Sequence, residues 1–234
     1  MKVSVLLPSY NEEKNIGDLI KGIRHYVSDI IVVDDGSSDR TGDIASREGA
    51  FVIRHRTNKG KGASLKDGFA YVKELGYDAV IVMDADGQHK PEDIPLFIEA
   101  GSKKGDVIII GDRMQDVAKM PFLRRMTNRF TSFLISKSIR QSVPDSQCGF
   151  RLIKRRVLDN LKLSTSNYDT ESEMLIEAAR NNFQIISLPI TTIYNGQHSN
   201  INPIVDTIRF FRLVLRSFLR NTPTKVGNYK NYGR

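Results

Sequence analysis

A single cysteine, Cys148, stands in a chain of 234 residues. Neither an internal disulfide nor a multi-cysteine zinc site can form, and a reducing compartment is expected. The four histidines are scattered and include no His-Glu-x-x-His pair of the kind that binds catalytic zinc. No apolar run approaches the roughly 18 residues of a membrane-spanning helix. Met1–Pro8 passes straight into a strand pattern instead of a signal peptide. The expected location is cytoplasmic, with peripheral adherence to the cytoplasmic face of a membrane as the variant. The commonest phosphate-binding loops are also missing. After Gly60-Lys61-Gly62, Leu65 occupies the place of a dinucleotide fingerprint's third glycine, and the P-loop spacing is absent. There are no internal repeats or low-complexity tracts.

Basic residues are in excess, 35 against 27 acidic, giving a formal net charge of +8. That balance suggests an anionic partner: nucleic acid, a phosphorylated ligand or an acidic membrane face. Hydrophobic content of 40% and charged content of 26% are ordinary for a globular protein with a substantial core.

Short apolar runs at Val3–Leu7, Ile30–Val33, Phe51–Ile53, Ala79–Met83 and Val107–Ile110 read as strands. Between them helices are predicted over Glu12–Tyr26, capped by Asn11, then to about Arg47, over Ala63–Leu75, and from Pro91 to Ser102. This alternation implies an α/β fold with a Rossmann-like, mainly parallel sheet and helices on both faces. Open sheets bind ligands at the carboxyl edge of their strands. Asp34, Asp35, Asp84, Asp86, Asp112 and Arg113 are expected to converge there. In the second half, Pro121–Ile139 and Pro203–Arg220 read as C-terminal amphipathic helices with arginines among Phe, Leu and Ile. Asp145–Arg151 reads as a loop or the start of a strand, Thr170–Arg180 as a helix and Ile185–Pro189 as a strand. Residues 1–221 are read as one domain, with halves at 1–113 and 114–221, and 222–234 as a disordered tail.

The stretch Asp84-Ala85-Asp86-Gly87-Gln88-His89 follows the continuous apolar run Ala79–Met83. On an extended backbone alternate side chains share a face, so Asp84 and Asp86 would point the same way. Paired carboxylates repel, and a hard divalent cation relieves the repulsion. The alternative is an acidic surface turn. It is not a calcium hand, because the turn glycine would fall on His89 and the closing glutamate on Pro95. Gly60-Lys61-Gly62 offers either an anion-binding helix start or a flexible loop. Asp34 and Asp35 either cap a turn or accept hydrogen bonds from a base or ribose, and Arg113 either pairs with Asp112 or holds a phosphate.

Taken in order, several motifs together resemble the family-two glycosyltransferases of the GT-A fold. They are Pro8-Ser9-Tyr10-Asn11-Glu12, Asp34-Asp35-Gly36-Ser37-Ser38-Asp39, Asn58-x-Gly60-Lys61-Gly62 and Asp84–His89. The nearest likeness is to polyprenyl-phosphate sugar synthases of the dolichol-phosphate mannosyltransferase type. Gly111-Asp112-Arg113, Cys148-Gly149-Phe150-Arg151 and Tyr168-Asp169-Thr170-Glu171 extend it through Tyr194. The resemblance implies an inverting transfer of sugar from a nucleotide-sugar, of GDP-mannose or UDP-glucose type, to a polyprenyl phosphate. It implies that Pro8, Tyr10, Asn11, Glu12, Asp34, Asp35, Lys61 and Ala85 line the donor. Asp84, Asp86 and Gln88 would hold Mg²⁺ or Mn²⁺ against its diphosphate. Arg113 and Arg124 would meet phosphates, with Asn128 one helical turn beyond Arg124 on the acceptor side. Relatives often have Gly-Ser-Arg at the first of these sites, a serine at the position of Asn128, and C-terminal membrane helices.

A lipid phosphate is already ionised near neutral pH and needs positioning more than a base. A hydroxyl acceptor would need a carboxylate, for which Asp169, Glu171 and Glu173 are the local candidates. The two basic helices suit contact with an anionic membrane surface; the alternative packs their apolar faces into the core. Rival readings are a soluble transferase acting on a saccharide, protein or small-molecule hydroxyl, a nucleotidyltransferase, and a nucleic-acid-binding module. No nucleic acid is expected as partner, because the basic residues are interleaved with aliphatic and Phe side chains and form no stacking platform.

Overall fold

The computed structural model describes residues 1–115, 120–193 and 208–215. Each apolar run read as a strand forms one: Val3–Ser9 (β1), Ile30–Asp34 (β2), Phe51–Arg54 (β3), Ala79–Val82 (β4) and Val107–Asp112 (β5). Arg151–Lys154 (β6) and Gln184–Pro189 (β7) complete a seven-stranded sheet of order β3-β2-β1-β4-β6-β5-β7. Strands β1, β2, β4 and β5 are buried at every position, so both faces of the sheet are covered. Continuous Val, Ile and Leu runs are what such doubly covered strands require. All pairings are parallel except those of β6, which runs antiparallel to both β4 and β5.

The helices are Ile16–Arg24 (α1), Thr41–Arg47 (α2), Lys61–Glu74 (α3), Ile94–Lys103 (α4), Phe122–Ile139 (α5), Arg155–Asn160 (α6) and Asp169–Arg180 (α7). Helix α3 packs on β1 and β2, α4 on β5 and β6, and α7 on β7. The first helix starts later than its sequence suggests. Asn11 adopts a left-handed backbone with φ 56°, and its side-chain oxygen accepts the N–H of Ser38 in the neighbouring loop. The chain then makes a turn at Glu12, whose carbonyl accepts the N–H groups of Asn15 and Ile16, before α1 begins. Pro91–Asp93 forms a 3-10 turn that leads into α4. Helix α6, six residues long, is too short to leave a periodic signature and was not expected.

Helix α5 is amphipathic in the reverse of the usual sense. Its buried positions are Asn128, Thr131, Ser132, Ile135 and Ser138, mostly polar. Its exposed positions include Phe122 at 75% and Leu123 at 77% exposure, with Met126, Phe130 and Phe133. The alternative that packs its apolar face into the core therefore does not hold for Phe122, Leu123, Met126, Phe130 and Phe133. Residues 208–215 are helical and add exposed Ile208, Phe211 and Leu215, with Phe211 6.3 Å from Phe130 between ring centroids. The rest of the predicted Pro203–Arg220 helix, the stretch from Tyr194 and the 222–234 tail lie outside the described residues. Among the described residues no helix is long and apolar enough to cross a membrane.

Phe150, fully buried, joins the core to the carboxyl edge of the sheet. It stacks on Phe97 of α4 with centroids 4.2 Å apart and meets the His89 ring at 5.5 Å. Phe150→Ala is expected to cost about 3–5 kcal/mol of stability, read from urea unfolding, because the cavity lies between two layers that cannot collapse together.

Candidate active site

An antiparallel β6 brings its beginning to the edge where the other strands end. Val82, the last residue of β4, pairs with Arg151, the first of β6. The Cys148–Phe150 segment therefore lies directly against Asp84. A Cβ on Gly149 would fall 2.3 Å from Asp84 Oδ2, so only glycine fits there with the carboxylate in this position. Strand β4 stops at Val82, and Ala85–Asp86 belongs to a turn. The two aspartates are thus brought together by a turn, and strand alternation is not the cause. Asp86 Oδ1 accepts the N–H of Gln88 at 2.9 Å, which fixes that turn.

The environments of Asp84 and Asp86 differ. Lys61, near the start of α3, hydrogen-bonds Asp84 Oδ1 and reaches Glu171 Oε1 of α7 at 3.0 Å. His89 Nε2 lies 3.6 Å from Asp84 Oδ2. Burial pushes the Asp84 carboxyl up, but the Lys61 ammonium, with His89, holds it well below the usual carboxylate range. Asp86 is raised, first by burial and then by the Asp84 charge. Glu12 is raised by burial too, with Asp86, Asp39 and Asp84 adding to the effect and a hydrogen bond from Asn15 opposing it. A concave acidic wall with one internally neutralised member results. Among the described residues no three His, Cys, Asp or Glu side chains form a cluster able to hold a metal ion. Oxygen donors of this type, two carboxylates and the Gln88 amide, nevertheless suit Mg²⁺ or Mn²⁺, which complete their coordination with water and substrate phosphates.

The Gly60–Gly62 segment is packed against Ser166, Asn167 and Thr170. A Cβ on Gly62 would meet Thr170 Oγ1 at 1.9 Å and the Ser166 carbonyl carbon at 2.7 Å, so α3 begins directly on the stretch leading into α7. The N–H groups of Lys59 and Gly60 are donated to the two oxygens of Asp35 at 2.9 and 2.8 Å. His55 Nδ1 lies 2.6 Å from Asp35 Oδ1, and its Nε2 lies 2.9 Å from Asp67. Asp34 Oδ1 accepts the N–H of Ser37, the turn-capping alternative. Pro8 and Ala85 are buried beside the site and Tyr10 is exposed at its rim.

Arg113 pairs with a residue that sequence gave no reason to choose. Its Nε and one terminal nitrogen donate to Asp145 at 2.6 and 2.9 Å. Asp112, the neighbour first considered, instead accepts from Met114 N–H and Gln115, because adjacent strand residues face opposite sides. Asn128, one helical turn beyond Arg124 on α5, is buried and its amide donates to Asp145 at 2.8 Å, so it braces this pair. Arg124 is exposed on the outer part of α5 and approaches Gln88 Oε1 at 3.4 Å. Glu171 is brought to Lys61, whereas Glu173 is occupied by the backbone and hydroxyl groups of Ser164 and Thr165. Burial raises the Asp169 carboxyl, with the Arg209 charge opposing it.

The model of the glycosyl transferase family 2 matches residues 4–162, more than half of the chain. This chain belongs to the glycosyl transferase family 2. The UDP-N-acetylglucosamine--dolichyl-phosphate N-acetylglucosaminyltransferase of Methanococcus voltae is 31% identical over 238 residues, covering 91% of this chain and 95% of that one. The undecaprenyl-phosphate mannosyltransferase of Micrococcus luteus is 32% identical over 206 residues, covering 82% and 84%. Among solved structures, glucosyl-3-phosphoglycerate synthase from Mycobacterium tuberculosis, in complex with Mn²⁺, uridine diphosphate and glucosyl-3-phosphoglycerate, superposes with a TM-score of 0.69. It is 22% identical and covers 93% of this chain and 78% of that one, which establishes the GT-A fold.

In this glycosyltransferase Asp145, His55 and Arg151 are the site's supporting residues that sequence reasoning missed. Asp145 is held below the usual carboxylate range: burial pushes it up, and the Arg113 guanidinium with the Asn128 amide more than offsets that. A depressed folded value contributes stability above the unfolded value of about 4, and that contribution is lost as pH falls through the folded value. Asp145→Asn is expected to cost about 3–5 kcal/mol at pH 7, since Arg113 stays buried without its counter-charge. Urea unfolding should show the difference from wild type narrowing at acid pH, as the native carboxylate is protonated.

Proposed function

We propose that this glycosyltransferase moves a sugar, with inversion, from a nucleotide-sugar of GDP-mannose or UDP-glucose type to a polyprenyl (dolichyl) phosphate at an anionic membrane surface. The observation that carries the reading is the reversed amphipathicity of α5. The helix that turns Phe122 and Leu123 outward also sends Arg124 to Gln88 in the donor motif. Apolar side chains flanked by arginines suit the interfacial region of an anionic bilayer. A lipid phosphate held there lies beside the donor site. The two relatives named for dolichyl-phosphate and undecaprenyl-phosphate acceptors support the same class.

In this reading Asp86 and Gln88, with Asp84, hold Mg²⁺ or Mn²⁺, which when bound offsets the negative charge gathering on the departing nucleoside diphosphate. Pro8, Tyr10, Asn11, Glu12, Asp34, Asp35 and Ala85 line the nucleoside end. Arg113, fixed by Asp145 and Asn128, supplies a rigid positive charge near the diphosphate, and Arg124 orients the acceptor phosphate. The acceptor oxygen is already ionised, so positioning carries the step and no general base is required. For a hydroxyl acceptor, Asp169 or Glu171 would have to take the proton.

A panel of nucleotide-sugars offered with a short polyprenyl phosphate, with products identified by mass spectrometry, tests the reaction. A glycosyl phosphoprenol product is expected with one donor and Mn²⁺ or Mg²⁺ present. Asp86→Ala should abolish metal-dependent donor binding in calorimetry, and unchanged binding would refute the site. The membrane contact is tested by co-sedimentation with anionic vesicles at low salt. Phe122→Ser/Leu123→Ser should lower the bound fraction severalfold, and absence of wild-type binding would remove the interfacial part of the reading.

A further inference from the structure

We propose that Lys61 is the resident counter-cation of the donor motif, competing with the divalent ion for Asp84, so that the ion binds well only together with a nucleoside diphosphate. The inference rests on the metal site proposed above at Asp84, Asp86 and Gln88. Three side chains carry it: Lys61, Asp84 and Glu171 have side-chain exposures of 17, 26 and 10%. One ammonium thus serves two carboxylates, on the loop after β4 and on the first turn of α7. Asp84 is engaged through both of its oxygens. Its Oδ1 accepts from Lys61, while Oδ2 faces His89 and lies where a Gly149 side chain would be.

A divalent ion arriving at Asp84 alone therefore meets a positive charge already seated there. A diphosphate arriving with it supplies negative charge for both cations. Glu171, already 3.0 Å from the ammonium, retains Lys61 when Asp84 is given up, so the exchange needs only a small movement. Asp86 differs: among the described residues it forms no ion pair, and its Oδ1 accepts the Gln88 N–H. The ion's anchor is then Asp86, and Lys61 sets how much Asp84 adds.

The test is Mn²⁺ binding followed by electron paramagnetic resonance of the free ion, on the full chain, without nucleotide and then with UDP or GDP. Lys61→Met should bind Mn²⁺ alone roughly tenfold tighter than wild type or better, the scale on which one contacting charge shifts a neighbouring group. The enhancement by nucleotide should shrink in parallel. Lys59→Met, which removes an exposed lysine two positions away, should change Mn²⁺ affinity by less than ~2-fold, since solvent screens it. Should Lys61→Met not fold without metal, Mn²⁺ is expected to restore its folding, and Lys61→Gln provides a second variant with the charge removed. A Lys61 variant that is folded and binds Mn²⁺ no tighter than wild type overturns the inference, as does an equal gain in Lys59→Met. If the wild type shows no Mn²⁺ binding even with nucleotide, the underlying metal reading has failed, and the inference with it.

Discussion

In a sheet of parallel strands, every carboxyl end lies on one edge and every amino end on the other. A strand inserted against that direction presents its beginning where its neighbours finish. Here β6 sits between β4 and β5 in this sense, and much of the site depends on it. The Asp145–Phe150 segment reaches the carboxyl edge only because β6 enters from there. It delivers Asp145 to Arg113, the Gly149 backbone to Asp84 and Phe150 to His89. The first residue of β6, Arg151, is buried and has three main-chain partners: the carbonyls of Ser146, Cys148 and Glu171. A buried guanidinium is tolerated when its donors are satisfied in this way. The same side chain thus ties the turn before β6 to the first turn of α7, and so to Glu171 and Lys61.

The parts of this arrangement that sequence made legible are those decided locally. Continuous apolar runs located β1, β2, β4 and β5, the last three ending at an aspartate, because strands buried on both faces have no room for polar residues until they leave the sheet. The ordered strand-end motifs located the donor half for a related reason: backbone turns at ligand edges constrain neighbouring residues together. What stayed hidden was set by partners distant in the chain. Nothing near Asp145 announces that it faces Arg113, 32 residues earlier. The direction of a four-residue strand is not written in its composition, and β6 reads the same either way. Asn11 is a good cap by residue type, but the loop carrying Ser37 and Ser38 claims it, and α1 begins at Ile16 instead. In each case a tertiary contact overrides a local preference.

The acidic motif shows how far environment separates two residues of the same type. Asp84 and Asp86 lie two positions apart, yet one is held as a carboxylate by Lys61 and the other is pushed toward its neutral form by burial and by its neighbour. Protonation is one way to relieve the second charge, and cation binding is the other. In the proposed metal site the Gln88 amide oxygen would add a donor without adding repulsion. Glu12 is raised as well, first by burial and then by the charges of Asp86, Asp39 and Asp84.

Helix α5 supplies the complementary argument on the outside. A water-soluble helix usually buries its apolar residues and exposes its polar ones. This one buries Asn128, Thr131, Ser132 and Ser138 because they serve the Arg113–Asp145 pair and the turn before β6: Asn128 bonds Asp145, and Ser132 bonds Ser146. Having committed these polar residues inward, the helix presents Phe122, Leu123, Met126, Phe130 and Phe133 outward among its arginines, joined by Ile208, Phe211 and Leu215. Such a contiguous apolar surface marks an interaction site more often than an accident of packing. The arginines on the same helix make an anionic apolar surface a better match than a neutral protein face. In the proposed reading, bracing the candidate site and meeting the lipid are two consequences of one reversed helix.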